Sequence, residues 1–180
     1  MELTRKPSLL GFAAAVLAAA LFFMPYISAT KEYAERLEEI SKLSPDEKVA
    51  ESADMKVSDL KNLSVYDYAK IYIQAGEEIF GSKTSGYIEG AFFAAVGVFA
   101  VLAALCALGR KPVLMFLMTA LMGASFYAIN WDITDRGIMP DTDRVWGLSY
   151  YAYWPVAAVM AVCAVWLFIA KRKEKKGMGK

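Results

Sequence analysis

The sequence predicts an all-α membrane protein, a four-transmembrane-helix bundle with a helical extracytoplasmic loop between helices 1 and 2. Three observations predict it. Apolar residues, 57% of the 180-residue chain, gather into four blocks at 8–30, 87–109, 113–131 and 148–170. Each is close to the roughly 20 residues that carry a helix across a hydrocarbon core. Glu89 is the one formal charge inside any block, so none has the polar stripe of a soluble core helix. Finally, basic side chains mark alternate junctions: Arg5 and Lys6 before the first block, Arg110 and Lys111 between the second and third, and Lys171, Arg172, Lys173, Lys175, Lys176 and Lys180 after the fourth. Lys and Arg near membrane ends stay on the cytoplasmic side, so both termini are expected there. The 31–86 loop, with eight basic and twelve acidic residues, and the 132–147 loop, with two and four, lie outside.

The first block, 8–30, is expected to be a retained anchor. A basic start at Arg5 and Lys6 and the small residues Ser28 and Ala29 also fit a cleaved signal peptide, but the apolar run exceeds the usual 7 to 15 residues of such a peptide's core.

The 31–86 loop carries helical signals throughout. Tyr33, Leu37, Ile40 and Leu43 recur at three- and four-residue steps among glutamates, so the first span is expected to run on outward as a helix. Ser44-Pro45-Asp46-Glu47 reads as a new helix start with a capping box. Ser58 and Asp59 read as a short turn. Ser64 to Asp67 opens a last outer helix of about 16 residues, with an apolar stripe and three tyrosines, Tyr66, Tyr68 and Tyr72, as candidate functional residues. Residues 81–86, rich in Gly and Ser, read as a flexible connector.

In the 87–109 span, Glu89 is a candidate functional residue because ionisable groups in a bilayer are rare. Lying near the outer face, it has three readings: an interfacial carboxylate, a cation or proton site, or a tie to Arg136, Arg144 or Lys83. Small residues at four-residue steps, among them Gly11 and Ala15, Gly86 and Gly90, and Ala157 and Ala161, predict close helix packing. Thr119, Gly123 and Tyr127 form an interrupted row of the same kind. The 132–147 loop holds Asp132, Asp135, Asp141 and Asp143; Asp132 is a candidate, while EF-hand spacing for calcium is lacking. Trp131, Trp146, Tyr150, Tyr151, Tyr153 and Trp154 predict an outer aromatic belt. Pro155 predicts a kink in the last span, 148–170. The basic tail at 171–180 reads as a stop-transfer signal with some attraction for anionic lipid.

In layout the chain is similar to the claudin and peripheral-myelin type of tetraspan protein: a short inner start, a large first outer loop, a tiny inner turn, a shorter second outer loop and a basic inner tail. That family carries a tryptophan and a cysteine pair in its first outer loop. Residues 31–86 contain neither, and their helical signals contrast with the family's outer sheet, so no residue role is carried over.

There is no histidine, no glycine-rich phosphate loop and no nucleophile elbow, and the two cysteines, Cys106 and Cys163, both lie within spans. Catalytic residues, metal ligands and cofactors are therefore expected to be none, and the protein not to be an enzyme. The expected function is a non-enzymatic scaffold, accessory or regulatory subunit acting through its outer helical loop, with a small-solute or ion transporter or channel acting as an oligomer as the alternative. Expected partners are the lipid bilayer and a membrane protein or a second copy, and no nucleic acid. The alanine-rich spans and lysine-rich tail suit the cell membrane, specifically a bacterial inner membrane.

Overall fold

The structure, a computed structural model, describes residues 2–48, 52, 54–139 and 142–177. It is mostly helical, in the order α1 (Glu2–Leu21), β1 (Pro25–Ala29), α2 (Lys31–Leu43), a 3-10 turn (Val57–Lys61), β2 (Asn62–Ser64), α3 (Val65–Phe80), α4 (Lys83–Leu108), α5 (Pro112–Asp135), β3 (Arg144–Trp146) and α6 (Leu148–Gly177). Among the described residues, three helices, α4, α5 and α6, are long and apolar enough to cross a membrane.

The first apolar block departs from expectation. The sequence predicts one helix over 8–30 continuing outward, yet α1 stops at Leu21 and Pro25–Ala29 is a strand. Pro25 explains the break. It has no N–H to extend a helix and pushes the residue before it toward extended geometry. The last turn tightens accordingly, with Phe23 N–H donating to Ala20 O and Met24 N–H to Leu21 O, each at 3.1 Å. Thr30 then caps α2, its hydroxyl accepting from the Tyr33 amide at 3.4 Å.

β1 is the centre of a three-stranded antiparallel sheet in the order β2-β1-β3. Ile27 pairs with Leu63 on one side and Trp146 on the other. This sheet was not foreseen, because β2 and β3 are three residues each, too short for a period-two pattern. It joins the chain after α1 to both loops. At its edge Gly147 donates to Tyr26 O at 2.8 Å, and a Cβ on Gly147 would lie 2.4 Å from Pro25 O, so only glycine fits.

Within 31–86, the expected short turn and the last outer helix form where predicted, as the 3-10 turn and α3. Ser64 and Asp67 make the capping box of α3, and Gly81, at φ +68°, ends it. The helix start at Ser44 does not form over 44–48. Ser44 instead terminates α2, its amide donating to Ile40 O, and residues 49–51 and 53 lie outside the described residues. The expected connector at 81–86 contracts to Gly81 and Ser82, since the Ser82 hydroxyl caps α4 from Lys83 onward. α3 and α4 thus form a tight antiparallel hairpin, with Gly76 and Gly86 in backbone contact. Pro155 lies inside α6 without ending it.

The bundle core follows a heptad-like spacing. On α4 a buried row of Gly86, Gly90, Phe93, Gly97, Ala100, Ala104 and Ala107 runs at alternating steps of four and three, widened by the buried Val96 and Ala103. On α5 the row is Met115, Thr119, Met122, Phe126, Ile129 and Ile133. Two of the small residues receive large side chains, Gly11 of α1 that of Met115 and Gly97 of α4 that of Phe22. The third small-residue row points elsewhere: Gly123 faces open space and Tyr127 is exposed. Leu9, Val16, Val101, Leu105, Phe116, Val162 and Ile169 face outward, the apolar exterior of a membrane protein.

The three basic junctions meet at one end of the bundle. Thr4 donates to Glu174 Oε1 and accepts from Arg110 Nη1, both at 3.4 Å, and Lys171 Nζ donates to Arg110 O at 2.9 Å. The sheet, α2 and α3 occupy the opposite end.

Candidate functional site

Polar chemistry concentrates at the sheet end, where α3, α4 and α5 converge. Asp132 and Arg136 stand one turn apart at the end of α5. Arg136 bridges two carboxylates: its Nε donates to Asp132 Oδ1 at 2.7 Å and its Nη2 to Glu89 Oε1 at 2.8 Å. The guanidinium also lies 5.0 Å from the centre of the Phe80 ring, a cation–π contact contributed by α3. Of the three partners expected for a tie at Glu89, Arg136 is the one it meets.

The triad is half-buried, with side-chain exposures of 34% for Arg136, 26% for Glu89 and 21% for Asp132. Burial opposes the Arg136 charge, yet its hydrogen bond to Asp132 and the two neighbouring carboxylates hold its pKa above the usual arginine value. Asp132 Oδ2 is buried and has no hydrogen-bond partner among the described residues. Chemically this is an ionic lock that ties the sheet-side ends of α4 and α5 to each other and to Phe80 of α3.

The three candidate tyrosines divide. Tyr68 and Tyr72 point inward from α3: Tyr68 stacks on Phe93 at 5.4 Å and meets Tyr26 edge-on at 6.1 Å, while Tyr72 meets Phe80 at 5.1 Å and Phe93 at 5.3 Å. Burial raises the pKa of both, Tyr72 to about 12. Tyr72 belongs to the triad's surroundings, since the Arg136 charge partly offsets that rise and Asp132 and Glu89 add to it. Tyr66 points away, 44% exposed, against Phe22 and Phe23 at the end of α1, and its amide donates to Phe22 O at 3.1 Å.

The acidic residues of the second outer loop do not converge. Asp132 faces Arg136, and Asp143 pairs with Arg36 at 2.6 Å while its carbonyl accepts from the Thr30 amide; Asp141 lies outside the described residues. Among the described residues no three His, Cys, Asp or Glu side chains gather as metal ligands. The aromatic belt also splits. Trp131, Tyr151 and Trp154 are exposed, but Tyr153 is buried and Trp146 and Tyr150 stack on each other at 4.0 Å.

Several tying residues were missed by sequence reasoning. The Tyr26 hydroxyl donates to Asn130 Oδ1 at 2.5 Å, the Ser8 hydroxyl to Ala107 O at 2.7 Å and the Tyr153 hydroxyl to Ala18 O at 3.1 Å. The buried Ser149 hydroxyl reaches Leu21 O at 2.9 Å and Met24 O at 2.7 Å, serving the free carbonyls where α1 ends. A serine beside an apolar block was the available signal.

No protein-family model matches the chain, and no curated protein or solved structure shows significant similarity to it.

Proposed function

We propose that the chain is a multi-pass cell-membrane protein with four spans and both termini in the cytoplasm, and that it scaffolds or regulates a membrane-protein partner without catalysis of its own. Its outer layer is the working surface.

The observation that carries the functional reading is the contrast between a filled interior and an over-built exterior. Phe93, Val96, Ala100, Met115, Met122 and Met160 are fully buried and occupy the bundle centre with apolar side chains, which argues against a solute pathway through one copy. Beyond the sheet, α2 buries only Ala34 and Leu37 of its 13 residues. It displays Glu32, Glu35, Glu38, Glu39 and Leu43, the last 85% exposed. A helix that covers so little core is accounted for by a partner that covers the rest. Tyr68 and Tyr72 are buried and leave the contact role to α2 and to the exposed Tyr66.

Topology rests on charge. The clustering of Arg110, Lys171 and the start of α1 at one end supports placing that end in the cytoplasm. The crossing of α1 is supported by its packing. Although its apolar helix from Ser8 to Leu21 spans only about 21 Å, α1 is tied to α4 at the inner end by Ser8 and to α6 at the outer end by Ser149 and Tyr153. Retention of the first block is supported by β1, because cleavage after Ala29 would remove the middle strand of the sheet.

The test is mild crosslinking in native membranes with a photoreactive residue at Leu43, followed by affinity purification. A single stoichiometric partner, absent when the photoreactive residue replaces the buried Leu37, is expected. Repeated recovery of the chain alone would count against the scaffold reading. Solute or ion flux across proteoliposomes holding only this chain would favour the transport alternative.

A further inference from the structure

A groove opens between α5 and α6 at the basic end of the bundle. Its upper part, about 430 Å³, is rimmed by Lys111, Lys171, Arg172 and Lys175 and floored by Val113 and Phe168. It continues into a second hollow of about 250 Å³ that shares Pro112, Val113 and Phe168 and is walled below by Phe116, Ala164 and Val165. The two together have a cationic mouth and an apolar shaft. From Lys175 back to Ala164 the α6 wall measures about 16 Å, close to half of a roughly 30 Å hydrocarbon core and so to the depth of one leaflet.

The charge at the mouth is one-sided. No carboxylate lines the groove. Glu174, the acid within the basic turn of α6, accepts from the Thr4 hydroxyl and so faces α1 rather than α5. Lys171 donates to Arg110 O, which fixes one ammonium at the turn between α4 and α5. Lys111 stands where α5 begins, behind Pro112, and Arg172 and Lys175 stand one turn apart on α6. Four cations on two helices, above a wall of Val, Phe and Ala, match a phosphate joined to hydrocarbon better than a phosphate alone.

We propose that this groove binds one anionic diacylphospholipid of the cytoplasmic leaflet, its phosphate held by Lys111, Arg172 and Lys175 and one acyl chain lying along Val113, Phe116 and Val165. The proposal rests on the membrane reading above and on the basic end being cytoplasmic. It goes beyond the diffuse attraction of a basic tail for anionic lipid, because it assigns a site, a stoichiometry and a groove.

The full chain is reconstituted in vesicles of equal parts phosphatidylglycerol and phosphatidylcholine, extracted in mild detergent and weighed with its retained lipid by native mass spectrometry. One phosphatidylglycerol per chain is expected, favoured over phosphatidylcholine by at least about tenfold. The triple variant Lys111→Gln, Arg172→Gln, Lys175→Gln should lose that preference. Val113→Trp, which fills the shaft and leaves every charge in place, should lose the bound lipid while its thermal unfolding stays that of the wild type. Equal retention of the two lipids, an unchanged triple variant, or displacement by millimolar inorganic phosphate would overturn the site. Alkaline carbonate extraction separates the two readings: a chain released from the vesicles overturns membrane residence, whereas an embedded chain without lipid preference overturns the groove alone.

Discussion

α3 and α4 lie face to face along the same hairpin, yet their sequences sort inside from outside by different rules. α3 sorts mainly by polarity: Tyr68, Ala69, Tyr72 and Ala75 are buried while Gln74, Glu77 and Glu78 face outward together with Ile73 and Ile79. α4 sorts mainly by size. Gly86, Gly90, Gly97, Ala100, Ala103, Ala104 and Ala107 face the bundle, joined there by Phe93 and Val96, while Ile88, Phe92, Val98, Val101, Leu102 and Leu105 face away. Water rewards the first arrangement by removing apolar surface from it. Lipid offers no such reward, so close backbone approach and interlocking van der Waals contact decide the second. The two helices of one hairpin therefore sort their faces by different rules.

The sharpest way to break this comparison is at the crossing itself. A side chain on Gly86 would start 2.4 Å from Gly76 Cα and 2.5 Å from Tyr72 O, so Gly86→Leu should separate α3 from α4 and cost about 3 kcal/mol in detergent-solubilised unfolding. Gly123→Leu, which meets nothing within 4 Å, should leave stability unchanged. Equal losses at both positions would remove the argument from close approach.

The next effect follows from the buried phenol of Tyr72. Its pKa is raised from 10.0 to about 12, chiefly by burial, so folding favours the neutral form. Its contribution is complete below pH 10 and is lost as pH climbs toward 12, on the order of 2 kcal/mol. Tyr72→Phe should remove that part of the alkaline decline. An unaltered alkaline profile in Tyr72→Phe would contradict its placement against the triad.

Size sorting on α4 predicts that Ala100→Leu, at a fully buried position, costs about 1.5 kcal/mol. Val101→Leu, on the outward face, should be within about 0.5 kcal/mol of wild type. At the polar end, Arg136→Gln should cost about 1 kcal/mol and make stability depend less on salt, because both half-buried carboxylates lose their counter-charge. Thermal unfolding at two ionic strengths reads both quantities.

The long spans were legible because twenty apolar residues without a charge have few alternatives to a bilayer, and α3 was legible because Ser64 and Asp67 announce its start. The break in the first block was also written in the chain, at Pro25, but a window averaged over 8–30 hides one proline among so many apolar residues. The sheet was not legible. β2 and β3 reach only three residues, and each pairs with the distant β1, Ile27 meeting Leu63 36 positions on and Trp146 119 positions on. Of the candidate residues, Glu89 and Asp132 do come together, through an arginine that the sequence offered only as one of three partners. The tyrosines were grouped by spacing alone; Tyr66 faces away from Tyr68 and Tyr72 because the first turn of α3 rests on Phe22 and Phe23 rather than on α4.

The central claim is that α1 crosses the membrane and is retained, which sets the side of everything after it. It is tested most directly by single cysteines introduced after Cys106→Ser and Cys163→Ser and labelled with a membrane-impermeant maleimide. Ser44→Cys should label in intact cells, whereas Lys6→Cys and Lys173→Cys should label only after permeabilisation. Labelling of Lys6→Cys from outside, or its absence from the mature chain, would contradict the account.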